Sequence, residues 1–89
     1  MEDIKRKWED WYGDLMAAYQ WNELEYNGRT LHYVCGTAVI DVDGRGFASS
    51  MLQVFGCSDG APLNSDEEAE VAGMLRKMHG TENVSFWSG

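Results

Sequence analysis

The chain has 89 residues, of which 15 are acidic and 7 are Lys or Arg, so its formal charge at pH 7 is −8. A chain of this length builds one hydrophobic core, which predicts a single compact domain over residues 1–89 and excludes the larger Rossmann, barrel and hydrolase folds. The hydrophobic share of 44% argues against disorder. The acidic surplus argues against direct binding of nucleic acid or of anionic membranes, since both need clustered Lys and Arg.

The N-terminal sequence and the two cysteines predict a cytoplasmic protein. Residues 1–14 lack the apolar segment of a secretory signal, and no apolar run approaches the length of a membrane span. Thiols stay reduced in the cytoplasm, so Cys35 and Cys57 are expected to act as small apolar side chains rather than to form a disulfide.

Apolar residues at helical spacing predict a first helix over about residues 3–18. They form one stripe, made of Ile4, Trp8, Trp11, Tyr12, Leu15, Met16 and Tyr19. A stripe at this spacing is what burial of one helix face requires, so its aromatic side chains are expected to lie in the core.

After residue 19 the apolar period changes from 3.6 to 2, which predicts strands. Asn27-Gly28 lies between two segments rich in aromatic and β-branched residues, and this dipeptide is typical of a two-residue type I′ hairpin. Such a turn places Leu24 opposite Leu31 and Glu23 opposite His32.

Four strands are predicted in all, with Gly36 separating the second from the third. They cover residues 20–26, 29–35, 37–42 and 47–55. A glycine-rich turn over 43–46 joins the last two, and Ser49-Ser50 interrupts the alternation of the fourth, which indicates a bulge or a break there. A loop over 56–64 follows.

A second helix is predicted to begin at Ser65, which forms a capping box with Glu68, and to end at a left-handed Gly80. The tail, residues 82–89, alternates and is expected to add an edge strand or to pack as an extended segment. The expected fold is therefore α+β, in the order α-β-β-β-β-α(-β). Its four-stranded antiparallel sheet, five-stranded if the tail joins, carries both helices on one face.

Residues 56–60, Gly-Cys-Ser-Asp-Gly, match the G-x-S-x-G pattern of a nucleophile elbow. An elbow needs a helix directly behind its serine, whereas residues 61–64 intervene here, and the only histidine downstream is His79. The pattern is therefore interpreted as part of a loop, and no catalytic residue is assigned from it.

Two further patterns suggest metal sites but lack the necessary ligands. Residues 41–47 start like a calcium loop, yet Arg45 is a cation where an oxygen ligand belongs, and Leu52 stands where the bidentate Glu is needed. His32 and Cys35 are three apart on a predicted strand, so they face opposite sides and are not expected to share a zinc ion with Cys57 or His79. The sequence predicts no metal and no cofactor.

The acidic residues are the remaining functional signal. Those expected to contact a partner are Asp41, Asp43, Asp59, Asp66, Glu67, Glu68 and Glu70, with an exposed aromatic such as Trp21 or Trp87 as anchor. They predict a protein that binds and blocks a basic surface on a protein partner, as a monomer or a homodimer. The acids at the start of the second helix are explained equally well by the helix dipole and by solubility.

In size, charge and layout the chain is similar to the compact acidic proteins, anti-CRISPR and anti-restriction proteins among them, that phages use against host defence. This resemblance implies an inhibitor of nucleic-acid-handling machinery in the host cytoplasm, and such an inhibitor can act as a nucleic-acid mimic. Two alternatives remain. One is a small enzyme that uses Glu23 with His32, or the loop over 56–60. The other is a cellular regulatory subunit whose aromatic residues form an oligomer interface.

Overall fold

The computed structural model describes residues 2–87 and contains two helices and four strands. In chain order these are α1 (Glu2–Tyr12), a 3-10 turn (Gly13–Leu15), β1 (Met16–Tyr26), β2 (Arg29–Val42), β3 (Arg45–Cys57), α2 (Ser65–His79) and β4 (Val84–Phe86). The α+β class is confirmed. The order is α-β-β-β-α-β, with one strand fewer before α2 than the sequence predicts.

The sheet is mixed rather than antiparallel. Its strand order is β1-β2-β3-β4, the first three strands pair antiparallel, and β4 pairs parallel to β3 through Leu52 and Val84. A parallel neighbour needs a crossover connection, and α2 provides it. The predicted edge strand of the tail is thus confirmed over Val84–Phe86, while residues 88 and 89 lie outside the described residues.

The predicted second and third strands are one continuous strand, β2. Gly36 does not interrupt it, because the glycine is needed for close packing of strands and not for a turn. A Cβ at this position would lie 2.8 Å from Tyr19 Cα and closer still to the carbonyl oxygen of Ala18.

Helix α1 is shorter than predicted and ends at Tyr12, before the 3-10 turn. Met16, which the helical stripe includes, instead begins β1 and pairs with Ala38 in the C-terminal half of β2. Backbone pairing over this longer strand thus overrides the helical spacing of the last three apolar residues.

The first hairpin is confirmed in turn and in register. Asn27 and Gly28 have φ of 51° and 76°, as a type I′ turn requires, and Glu23 pairs with His32. The second hairpin turns more tightly than predicted, at Asp43-Gly44 alone, again with two positive φ values, 52° and 76°.

The irregularity of β3 lies at its C-terminal end and not at Ser49-Ser50, where the pairing with β2 is regular. The register shifts instead between His32 and Tyr33 of β2. Gly56 of β3, which pairs with His32, has a φ of 120°, a conformation that glycine tolerates and other residues rarely adopt.

Helix α2 begins one residue earlier in its cap than predicted. The N-cap is Asn64, whose side chain accepts from the Glu67 amide at 2.8 Å, while Glu67 Oε1 accepts from the Asn64 amide at 3.0 Å. Ser65 is therefore the first helical residue. The left-handed Gly80 at the other end is confirmed, with a φ of 65°.

The two helices lie on opposite faces of the sheet, so the expectation that both pack on one face is wrong. Leu52 and Val54 of β3 pack into the main core together with Val71 and Leu75 of α2. Gln53, which lies between them and faces the other side, accepts a hydrogen bond from Nε1 of the fully buried Trp8 of α1 at 2.8 Å.

Candidate functional site

The acidic residues predicted to form one binding surface lie at two ends of an elongated molecule, whose longest dimension is 45 Å. Asp41 and Asp43 lie at the β2–β3 turn. Asp59 and the acids of α2 lie near Arg29, at the opposite end of β2. Twelve residues of strand separate Arg29 from Asp41, which corresponds to roughly 40 Å at about 3.3 Å per residue. No single contact surface of ordinary size includes both groups.

Arg29 is the centre of the group formed by Asp59 and the acids of α2, and the sequence analysis does not single it out. Its Nε lies 2.7 Å from Oδ2 of Asp59, its Nη1 lies 3.8 Å from Oε2 of Glu67, and it also donates to the carbonyl oxygen of Ala61. The hydrogen bond from Arg29, and after it the one from the Ala61 amide, lowers the pKa of Asp59 to about 2. Asp59 and Glu67 therefore have structural partners, which explains their presence without a binding role.

The other acids of this group lie at the start of α2. Asp66 and Glu70 are exposed and Glu68 is half-buried, all three in or next to the first turn of the helix. Glu70 also approaches Tyr26, whose pKa is raised by burial and by the negative charges of Glu70 and Glu67. We call Asp66, Glu68 and Glu70 the acidic helix start. They form an electronegative surface, and none of them belongs to the capping box of Asn64 and Glu67.

The other group, Asp41 and Asp43, lies on a two-stranded ribbon that extends beyond the rest of the sheet. Strand β1 pairs with β2 only as far as Ala38, and β4 pairs with β3 only over residues 52–54. We call residues 39–48, all of which are exposed, the ribbon tip. Its large apolar side chains are about half exposed: Val39 47%, Ile40 47%, Val42 50% and Phe47 52%.

The predicted anchors Trp21 and Trp87 are only partly exposed, because both belong to an aromatic cluster between α1 and the sheet. The ring centroids of Trp8 and Trp21 lie 5.4 Å apart, and those of Phe55 and Trp87 lie 5.6 Å apart. Trp11, expected in the core, is 56% exposed. The aromatic side chains most available to a partner are therefore Trp11 and Phe47.

Glu23, His32 and Ser58 form a third constellation, which unites the two enzyme-like alternatives. Glu23 Oε1 lies 3.7 Å from Nδ1 of His32, and Nε2 of the same imidazole lies 2.5 Å from Oγ of Ser58. The hairpin register predicts the first contact. The second depends on how the loop after β3 returns to β2, which local patterns do not specify.

The remaining cysteine and histidine side chains do not converge. Both thiols are free; Asn22 Nδ2 lies 3.1 Å from Sγ of Cys35, and burial raises the pKa of Cys57. His79 Nε2 lies 2.9 Å from the hydroxyl oxygen of Tyr33. Among residues 2–87, no three His, Cys, Asp or Glu side chains lie close enough together to hold a metal ion.

An open groove lies beyond the C-terminal end of α2, with a volume of about 380 Å³. Gln20, Cys35 and Thr37 of the sheet line it, together with His79 at the helix end and Thr81 just beyond. It includes none of the residues of the three groups described above.

Neither helix in the described part of the chain has the length and apolar content that crossing a membrane requires. Comparison with protein-family models, with curated proteins and with solved structures found no significant match. A function therefore has to be inferred from the geometry of the chain itself.

Proposed function

We propose that the protein is a small acidic interaction module that docks the ribbon tip into a groove on a basic protein surface. The observation that carries this proposal is the exposure of four large apolar side chains on a ribbon that no other element among residues 2–87 covers. Contiguous exposed apolar side chains on a small protein are typical of an interaction site.

The two faces of the ribbon tip differ in chemistry. Ile40, Val42 and Phe47 share one face, because Ile40 pairs with Phe47 and strand residues two apart point the same way. Asp41 points to the other face, and Asp43 lies at the turn. A matching groove would have an apolar floor for the first face and Lys or Arg along its rim for the carboxylates.

Long-range attraction would come from the whole molecule rather than from the tip. Arg45 offsets one of the two tip carboxylates, whereas the chain as a whole carries −8. Such a charge accelerates encounter with a basic partner, and apolar contacts at the tip then determine how long the complex lasts. The acidic helix start thus raises the association rate, and the ribbon tip determines the dissociation rate.

Within this proposal the partner is a protein of the nucleic-acid-handling or defence machinery, whose basic groove the module blocks. Support for that class comes from the charge, since a groove that binds phosphates also attracts carboxylates. The small size and the α+β layout agree with the acidic phage inhibitors that the chain resembles.

Site-specific photo-crosslinking tests the location of the interface. A benzophenone amino acid at Phe47 is compared with the same group at Met78, an equally exposed apolar residue of α2 at 56%. In extracts of the source cell and of its host, the Phe47 probe is expected to capture a basic protein that the Met78 probe does not. Equal capture at both positions would contradict the proposal, and so would a product with the mass of two copies of this chain.

Two sets of substitutions then separate contact from steering with the captured partner. Ile40→Ser with Phe47→Ser should raise the dissociation rate at least about tenfold, since each change removes about 1–3 kcal/mol of apolar contact. Lys at Asp66, Glu68 and Glu70 should instead lower the association rate and its salt dependence. Glu67 is left intact because it belongs to the capping box.

A further inference from the structure

We infer that Ser58, His32 and Glu23 form a nucleophilic site that takes an acyl group from a small ester onto Ser58. The site is independent of the contacts at the ribbon tip, because His32 lies near the start of β2 and the ribbon tip lies at the other end of that strand. Nothing in the ribbon tip is needed for its chemistry.

Three neighbouring segments bring the groups together. Glu23 of β1 and Gly56 of β3 are the two pairing partners of His32 in β2. Gly56 has no side chain, and the bulge beside it bends β3 so that the side chain of Ser58 reaches the His32 imidazole. The Ser58 amide donates to the carbonyl oxygen of Thr30 at 2.9 Å, which holds the serine against β2.

The contacts assign a role to each ring nitrogen of His32. If Nε2 accepts the hydroxyl proton of Ser58, the neutral imidazole carries its own proton on Nδ1. Nδ1 is buried and has no hydrogen-bond partner in the described part of the chain, and Glu23 Oε1 at 3.7 Å is the acceptor that faces it. The Glu23 side chain is 65% exposed, so it is free to rotate into contact when Nδ1 becomes the positive end of an imidazolium.

This arrangement is that of a serine, a base and an orienting acid, in an order along the chain that differs from an elbow. A nucleophile elbow would pair Ser58 with a histidine downstream of it. The structure pairs the serine with an upstream histidine on an adjacent strand, so no helix behind the serine is needed to position the base.

The chemical step balances with these groups and water. Ser58 Oγ attacks the carbonyl carbon of the ester while its proton passes to His32 Nε2. The bond from that carbon to the alcohol oxygen then breaks, and His32 returns the proton to the departing alcohol, which leaves an acyl ester on Ser58. Water then attacks the acyl carbon while His32 Nε2 takes its proton, the bond from that carbon to Ser58 Oγ breaks, and His32 returns the proton to Oγ as the acid leaves. Glu23 is the positioning residue for the imidazole.

The amides around the serine predict slow turnover. Those of Ser58, Gly60 and Ala61 already donate to Thr30, to Cys57 and to the Asp59 carboxylate, respectively. Since each oxyanion donor is worth about 100- to 1000-fold in rate, occupied amides slow acylation and hydrolysis of the acyl ester alike. An ester with a good leaving group nevertheless acylates Ser58 faster than water removes the acyl group. The acyl-enzyme is therefore the product to measure.

Charge around the site restricts the substrate. Glu25 lies on the same face of β1 as Glu23 and accepts a hydrogen bond from the side chain of Thr30 at 2.7 Å, so two carboxylates lie beside the residues that hold the serine. Asp59, next in sequence, is offset by Arg29. An anionic acyl donor is repelled, and a neutral or cationic one is preferred.

The test is acetylation by p-nitrophenyl acetate, followed by nitrophenol release and by mass spectrometry of the intact and digested full-length chain. The wild type should carry acetyl on Ser58, and Ser58→Ala should lose it, while Ser85→Ala, a change at another exposed serine, should keep it. His32→Gln should slow acetylation about 100-fold. Glu23→Gln should lower the maximal acetylation rate at least about tenfold and leave the half-saturating ester concentration unchanged.

Three results would overturn the inference: acetyl on residues other than Ser58, equal labelling in Ser58→Ala, or a wild-type rate no higher than that of free imidazole at the same concentration. If His32→Gln does not fold, as judged by circular dichroism, Glu23→Gln decides between a site and a structural contact, because its side chain is mostly exposed. The p-nitrophenyl ester of trimethylglycine, corrected for its reactivity with imidazole, should then react faster than that of succinate; the opposite order would refute the charge preference.

Discussion

Arg29 donates two hydrogen bonds to the carboxylate of Asp59, from Nε to Oδ2 at 2.7 Å and from Nη2 to Oδ1 at 3.0 Å. The two residues lie on β2 and in the loop after β3, so this bidentate pair attaches the loop to the sheet. The same loop carries Ser58. The pair thus links the acidic end of the molecule to the site around His32.

Asp59→Asn should lower the free energy of unfolding at neutral pH, and the loss should shrink in acid. The pKa of Asp59 falls from its ordinary value of 3.8 to about 2 in the folded state. Its stabilisation is therefore complete above the unfolded value and disappears as the pH falls through about 2. Denaturant titrations of both proteins from neutral pH down to about pH 2 measure this convergence.

The control for this change is Asp41→Asn, an exposed acid at the other end of β2. Its effect on the free energy of unfolding at neutral pH should be small. A stability difference between wild type and Asp59→Asn that stays constant down to pH 2 would show that the ion pair contributes nothing that titrates.

Trp8→Ala should destabilise the protein by about 3–5 kcal/mol, because the side chain is fully buried and its loss leaves a cavity between α1 and the sheet. It would also leave Gln53 without its indole donor. Trp11→Ala, one helical turn on and 56% exposed, should cost less than about 1 kcal/mol. Chemical denaturation of the two variants provides the measurement, and equal losses would mean that α1 does not dock through Trp8.

Gly36→Ala should destabilise the pairing of β1 with β2. The added methyl group would meet the backbone at Ala18 and Tyr19, which moves only if the strands separate. We expect a cost of about 1–3 kcal/mol, as for overpacking in a core. Gly46→Ala is the matched control, since a Cβ there meets no atom within 4 Å. Thermal unfolding compares the two, and a Gly36→Ala variant as stable as the control would contradict the close approach.

Local chemistry was enough to predict the first hairpin and most of α2. Asn27-Gly28 determines the turn, the turn determines the register, and the register places Glu23 beside His32. These features depend on residues close in sequence. Gly80 likewise ends α2 through its own left-handed backbone conformation and a hydrogen bond from its amide to the carbonyl oxygen of Arg76.

The larger errors concern features that distant partners decide. Leu15 and Met16 fit a helical stripe, and only the length of β2 shows that Met16 begins a strand instead. Gly36 has the appearance of a break until β1 is placed against it. The side of the sheet that receives α1 follows from where Trp8 finds Gln53, 45 residues along the chain.

The candidate sites divide in the same way. The residues of the acidic surface could be counted from the sequence, but their separation along the long axis could not, because it depends on β2 being one strand. The contact of Ser58 with His32 depends on the bulge at Gly56 and on the pairing of β2 with β3. Local patterns do not indicate a role for Arg29, because its partners, Asp59 and Glu67, come from two later segments.

The cap of α2 distinguishes two neighbouring residues by stability. Ser65 and Asn64 are both good N-cap residues, and each has a Glu three positions on, so local pattern alone favours neither. In the structure Asn64 accepts from the Glu67 amide at 2.8 Å. Asn64→Ala should therefore cost about 1 kcal/mol, whereas Ser65→Ala, within the first helical turn, should change the free energy of unfolding by less than about 0.5 kcal/mol.

The Glu partners give the matching pair of controls. Glu67→Ala should also lower the free energy of unfolding, because the Glu67 carboxylate accepts from the Asn64 amide at 3.0 Å and lies near Arg29. Glu68→Ala should have little effect. Urea titrations of the four variants measure these differences. If Ser65→Ala and Glu68→Ala are the costly pair, the helix begins one residue later, and the Arg29 contact to Glu67 has to be reassigned along with the cap.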